Sequence, residues 1–368
     1  MLTIVILIFA IFFMFLFWII LKSRNMHIWI IPYIKQSLKQ RKKYKGKKHI
    51  YFCLADHYEP FYMKADQLTA RSLVLNWVAK YRTIANSHQD SLGNKPRHSY
   101  FYPIEEYDEI ILNEINSICK DGLGDVDIHL HHDNDTAHNL EKTLNDFKVM
   151  LHDKHDLLRK DEHGNIVYGF IHGNWALDNS RPDGRWCGVN NEIDVLLNTG
   201  CVFDMTMPSA PSDTQTSTVN SIYFAREDGK AKSHDKGIRA KVGNWMPDLL
   251  LMIQGPLALN WKNRKLGFMP KIESGELSYD APPTQDRLAL WEQCGISIEG
   301  AENHIFIKVH THGLQKQNMK MFFELDGLNH LWTMLEKQYR DNKNYVLHYV
   351  TAWEMYLKIK QLSTQGVT

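Results

Sequence analysis

Two hydrophobic rhythms divide the chain. Residues 2–21, LTIVILIFAIFFMFLFWIIL, are uncharged, with Thr3 the only clearly polar side chain. A helix rising about 1.5 Å per residue crosses a hydrocarbon core about 30 Å thick over that length. The basic start, shorter apolar stretch and small-residue cleavage site of a signal peptide are missing, so the pattern predicts a retained transmembrane helix over residues 1–21. Beyond it the rhythm changes to short apolar runs separated by segments of helical period. HIYFCLA (49–55), HSYFYP (98–103), DVDIHLH (125–131), IVYGFIH (166–172), CVFDMTM (201–207), LLLMIQG (249–255) and IFIKVHTH (305–312) read as strands. Helices are expected over 67–86, 105–119, 136–152, 191–198, 284–294, 325–340 and 345–361, the third capped by Asp135 or Thr136. Such alternation predicts an α/β fold of parallel strands joined by right-handed crossovers, as a barrel or an open sheet.

Charge sharpens the division. Ten of the 43 basic residues fall between residues 22 and 55, which hold no acidic one; the remainder carries 33 basic against 42 acidic groups, a formal balance of −9. By the positive-inside rule this flank stays in the cytoplasm, which makes the chain a single-pass membrane protein with its large domain on the cytoplasmic side. The stretch KQRKKYKGKK from residue 39 suits anionic lipid headgroups, so membrane lipid is the expected partner and nucleic acid is not. Residues 26–34, MHIWIIPYI, are expected along the interface, with Trp29 and Tyr33 at that depth. The expected layout is a transmembrane helix (1–21), a basic juxtamembrane segment (22–48) and a large domain with C-terminal helices (49–368). Five cysteines without a C-x-x-C pair indicate neither a disulfide framework nor a zinc knuckle.

Candidate chemistry gathers where the predicted strands end. Asp56 and His57 follow the first, His129 to Asp133 end the third, and His172 and Asn174 end the fourth. Asp204 lies in the fifth, Gln254 ends the sixth, and His310 and His312 end the seventh. In parallel α/β folds those carboxyl ends form the site. Within VDIHLHHDND an extended backbone points His129, His131 and Asp133 to one side and His132 to the other. Two imidazoles and a carboxylate make a ligand set for a divalent metal. Cys187, with no base fixed beside it in sequence, reads as a core residue.

The order LADHYEP, DIHLHHD, GFIHGNWALDNSRP, FDMTMPSA and KVHTHG resembles the polysaccharide deacetylases, carbohydrate esterase family 4, over about residues 49–315. The resemblance implies a distorted, TIM-barrel-like (β/α)7 barrel that uses a divalent metal ion, with zinc the leading choice, to remove acetyl groups from N-acetylated sugars. It implies a catalytic base at Asp56 and a metal ligand at His57, where the family carries a second Asp. His129 matches the first His of the second motif and Asp133 the position of the other, with His131 as neighbouring substitute. His172 and Asn174 stand where the family has Arg, with Arg181 further on, and His310 matches the general acid with His312 second. Substrate contacts are expected from His172, Asn174, Trp175, Arg181, Asp204 and His312, with Trp261 a further stacking candidate. The expected function is a membrane-anchored, metal-dependent deacetylase acting on a polysaccharide or lipid-linked saccharide. The alternatives are another metal-dependent barrel hydrolase of amidohydrolase or phosphoesterase type, a two-carboxylate glycoside hydrolase without metal, and a catalytically degenerate saccharide-binding assembly protein.

Overall fold

The computed structural model describes residues 2–39 and 46–365. All seven runs expected as strands form strands: β1 (Lys48–His57), β2 (His98–Pro103), β3 (Gly124–Leu130), β4 (Ile166–His172), β5 (Cys201–Asp204), β6 (Leu250–Ile253) and β7 (His304–Thr311). They lie parallel in the order β7-β1-β2-β3-β4-β5-β6, so the last strand in sequence flanks the first. Among the described residues β6 and β7 share no ladder. The outer edge of β6 carries an antiparallel strand, Ile222–Ala225, and β7 a short parallel one, Glu276–Leu277. Lys308 of β7 is buried and donates to the carbonyls of Met205 and Met207, 2.8 and 2.9 Å away, just past β5.

Helices fill the connections: α1 (Leu2–Ser23), α2 (Met26–Lys39), α3 (Gln67–Ala85), α4 (Glu109–Lys120), α5 (Ala137–His155), α6 (Glu192–Asn198), α7 (Gln285–Gln293), α8 (Gly327–Leu335) and α9 (Ala352–Thr364). Side-chain caps start them. Asp66 accepts from Thr69 N, Asp108 from Ile110 N and Ile111 N, and Thr136 from Asn139 N, each satisfying donors that the first turn leaves unpaired. The helix expected over 345–361 is corrected. Residues Tyr345–Tyr349 form a further strand, parallel to the first half of β1, and α9 begins only at a capping box between Thr351 and Glu354. The run YVLHY is aromatic and β-branched, whereas helical periodicity holds only beyond it.

The core has two sides. Helices α3 to α8 bury their apolar faces with Ile50, Phe52 and Leu54 of β1, Tyr100 and Tyr102 of β2, and Val126, Ile128 and Leu130 of β3. A doubly wound sheet would spread its helices over both faces; here one face takes all six. The opposite face pools Tyr51, Cys53, Phe101, Ile171, Phe203, Leu251 and Phe306, from strands at both ends of the order, in one cluster that α9 joins through Met355, Tyr356 and Ile359. This is the inner face of the sheet.

Among the described residues no single helix is long and apolar enough to cross a membrane, whereas the pair Met14–Ser23 and Met26–Leu38, bent by 101°, passes by length and composition. The straight single span expected over 1–21 is thus not supported as such, although α1 exposes Phe9, Met14, Phe15 and Trp18. The bend falls at Asn25, a non-glycine residue at φ 52°. The interfacial reading of 26–34 is corrected too. Trp29 is fully buried against Ala210, Val219 and Leu257, Tyr33 Oη accepts from Leu259 N, and Gln36 donates to Asn220 O, so α2 docks on the domain. Residues 40–45 of the basic stretch and 366–368 lie outside the described residues.

Candidate functional site

Strand parity decides which polar groups meet. Ala55 lies on the inner face and Leu54 on the helix side, so His57 points inward and Asp56 outward. By the same alternation His129 of β3 and Lys308 and His310 of β7 face inward, while His172 of β4 follows Phe170 to the helix side. The ladders bring these ends together, with Ala55 opposite His310, Pro103 opposite His129, and Leu130 opposite His172.

At the inner rim one donor atom from each of His57, Glu59 and His129 lies within 4.8 Å of the other two. His129 Nδ1 is 2.7 Å from Ile171 O, and a carbonyl only accepts, so that nitrogen carries a proton and Nε2 is the ring atom left to serve as a ligand in the neutral form. Nε2 is buried without a hydrogen-bond partner, 3.5 Å from Glu59 Oε1. A proton on Nε2 would make this an ordinary ion pair, whereas a divalent cation would engage the nitrogen and the carboxylate together, and two imidazoles with a carboxylate are a suitable set for zinc. The residues present therefore fit a divalent metal ion.

Further histidines surround this triad. Ring centres of His312 and His310 lie 4.7 and 6.0 Å from that of His57. His312 Nε2 is 4.0 Å and His131 Nε2 3.6 Å from Glu59 Oε1, and His131 Nδ1 meets Glu105 at 2.5 Å. Burial, reinforced by His312, His129 and His310, holds His57 well below the usual histidine range. Burial and then Lys308 do the same to His310. Glu59 is raised by burial, but the facing histidines, His129 foremost, outweigh that and keep it ionised below its ordinary value. For His131 burial opposes the charged form, yet Glu105 and Glu59 prevail and raise it. Burial lifts Glu106, next to Glu105, to about 7.

Several expected residues are placed elsewhere. Asp133 is exposed, because the chain bends at residues 133 and 134, with Asn134 at φ 48°; it accepts from Trp186 N at 2.6 Å, and Glu59 stands in the ligand group instead. Asp56 is wholly buried on the helix side, 2.8 Å from His98 Nε2 and accepting from Gly313 N at 2.7 Å, a saturated position for an expected base. His310 is inward but nearly covered, at 5% exposure, which disfavours it as an acid at the mouth; His312 and His131 are partly exposed there. His172 is fully buried beside His132, Cys187 and Glu192 rather than facing a substrate. Arg181 is engaged by Asp183 and Asp213 and stacks on Trp186. Asn174 and Trp175 are half-buried at φ 53° and 56° in the turn after β4, and Trp261 is exposed on a hairpin strand, Ala258–Lys265.

Asp204 is corrected from substrate contact to internal brace. Fully buried, it accepts from Thr206 N and Oγ1, and Thr206 Oγ1 in turn accepts from His172 N. Burial raises its carboxyl to about 7. A carboxyl whose folded value exceeds its unfolded one contributes stability in full below the unfolded value, about 3.9, and loses it as pH rises through the folded one. Asp204→Asn is therefore expected to flatten the fall of the thermal midpoint between pH 5 and pH 8; an unchanged slope would refute the assignment.

Glu59, Glu105, His98, Cys187 and Glu192 were not singled out from sequence as site residues. Glu59 was within reach, since it sits two residues past His57 in ADHYEP. Comparison with protein-family models and with curated proteins returns no match. Among solved structures, the crystal structure of 4-alpha-glucanotransferase from Thermococcus litoralis aligns with 85% of this chain at 11% identity and a TM-score of 0.44, and the chain spans 41% of that protein.

Proposed function

We propose that the chain is a membrane-anchored, metal-dependent hydrolase that removes acetyl groups from the amide nitrogen of an N-acetylated polysaccharide or lipid-linked saccharide. The observation that carries the metal dependence is the buried, unpartnered Nε2 of His129 set against Glu59 and beside His57. The order of segments resembling polysaccharide deacetylases supports the sugar substrate. The cyclic strand order, with helices on one face, supports a distorted seven-stranded β/α barrel.

A divalent cation held by His57, Glu59 and His129 would supply Lewis-acid polarisation of an acyl oxygen and a water acidic near neutral pH. The chain's own residues handle the protons. His312, at the mouth, takes one from the attacking water. His131, oriented and held protonated by Glu105, returns one to the leaving nitrogen as the carbon–nitrogen bond breaks and acetate departs. Exposed α1 and the basic stretch after α2 anchor the domain to the cytoplasmic leaflet, a topology that reporters fused to each end would read.

The test is acetate release from a panel of N-acetylated glycans by the detergent-purified full chain. Release that stops on chelation and returns with zinc is expected. No release from any glycan by zinc-loaded protein, or release indifferent to chelation, would refute the proposal.

A further inference from the structure

On the helix side of the sheet, behind the rim, lies a second constellation in which the proposed reaction has no part. His132 follows β3, His172 ends β4, Cys187 sits in the loop that leaves β4, and Glu192 opens α6. One donor atom from each lies within 4.8 Å of the others, and His172, Cys187 and Glu192 are all fully buried. From these contacts we infer that the four side chains form a structural zinc site, distinct from the triad of His57, Glu59 and His129.

Three acceptors converge there. His172 Nδ1 donates to Gly173 O at 2.6 Å and His132 Nδ1 faces Asp135 Oδ2 at 3.0 Å, which directs both Nε2 lone pairs at each other across 2.8 Å. Glu192 Oε1 stands 3.3 Å from His132 Nε2 and 3.5 Å from His172 Nε2, buried and without a hydrogen bond. One shared proton bridges the pair of nitrogens and leaves that oxygen at ion-pair distance from both, with no hydrogen bond of its own. A cation at the centre answers for all. Zinc bonds of about 2.0–2.3 Å in a tetrahedron set donor atoms about 3.3–3.8 Å apart. Two of these separations already match, and the two imidazoles need part by only about half an ångström to meet the same geometry.

Backbone donors orient the sulfur. Cys187 Sγ receives the backbone N–H groups of Asn179 and Val189 at 3.3 and 3.5 Å, and lies 3.4 Å from Glu192 Oε2, which itself accepts from Asp178 N at 2.5 Å. Each ligand thus has an outer partner that fixes its orientation, the arrangement that tunes metal ligands. Two nitrogens, a sulfur and an oxygen favour zinc over hard cations. The loop it would pin, 173–191, holds Asn174, Trp175, Asp178, Asn179 and Trp186 at φ between 49° and 69°. Left-handed backbone at such residues costs energy and persists only where the surroundings fix it.

The experiment is zinc stoichiometry on the full chain in detergent, after zinc loading and removal of excess. Two equivalents are expected for the parent, one for Cys187→Ala and one for His129→Ala. One equivalent in the parent, unchanged in Cys187→Ala, overturns the site; one equivalent that Cys187→Ala abolishes upholds it and removes the inner-rim metal instead. Should Cys187→Ala fail to fold, cobalt replaces zinc in the parent. A sulfur-to-cobalt charge-transfer band is then expected, and its absence from cobalt-loaded protein overturns the proposal.

Discussion

His129→Ala should release acetate at least about 1000-fold more slowly than the parent while remaining folded, because several kilocalories per mole of transition-state charge stabilisation depend on the cation that His129 helps to hold. The residue has two duties. Its Nδ1–H ties β3 to β4 through Ile171 O, and its Nε2 completes the donor group with His57 and Glu59. Loss of the first leaves one buried carbonyl unpaired, at a cost of about 1–3 kcal/mol. That is a modest share of a domain's stability, so circular dichroism of the variant should match the parent. Loss of the second removes one ligand of three. The measurement is kcat/KM beside metal content: a variant short of one zinc equivalent and still within tenfold of the parent would sink the inner rim as the reaction centre.

Much of the fold was legible because burial imposes period. Parallel strands covered on both faces read as short apolar runs, and all seven such runs became strands in sequential order. What escaped was decided by tertiary partners. Tyr345–Tyr349 sits where helical period and strand propensity compete, and pairing with Lys48–Phe52 settled it. The continuous apolar run at the start gave no warning of the turn at Asn25, whose side chain donates to Pro211 O in a loop far along the chain.

The site was legible to the extent that strand parity holds. His129 and His131 share a side and His132 takes the other, as alternation requires, and the two sides carry two different clusters. Asp133 fails because alternation needs an extended backbone and the chain bends there, with Asn134 at φ 48°. His98 was hidden for another reason. It opens β2 as one more residue of an aromatic run, HSYFYP, and only the register of Leu54 against His98 sets it beside Asp56. Glu192 is further still from any motif, reaching His132 and His172 by the packing of α6 rather than by spacing.

Asp56 offers the sharpest separation of structure from chemistry. Its carboxylate is fully buried among α3 side chains, with Trp77 and Tyr81 packed on its partner His98 and Gly313 N–H on its other oxygen. A Cβ on Gly313 would run into Asp56 Oδ2, so the backbone carrying His312 is moulded to this carboxylate. Asp56→Ala strands a buried imidazole and a buried N–H together, and breaking such a pair costs about 3–5 kcal/mol. Chemical denaturation should show it as a lower midpoint with unchanged slope. Asp56→Asn keeps the shape: its oxygen can accept from Gly313 N while its amide donates to His98 Nε2, the histidine proton moving to Nδ1. That variant should fold and keep kcat/KM within about tenfold, whereas removal of a general base costs about 100- to 10,000-fold. A folded, zinc-loaded Asp56→Asn chain with activity reduced a thousandfold would return the base to Asp56 and take the proton-accepting role from His312.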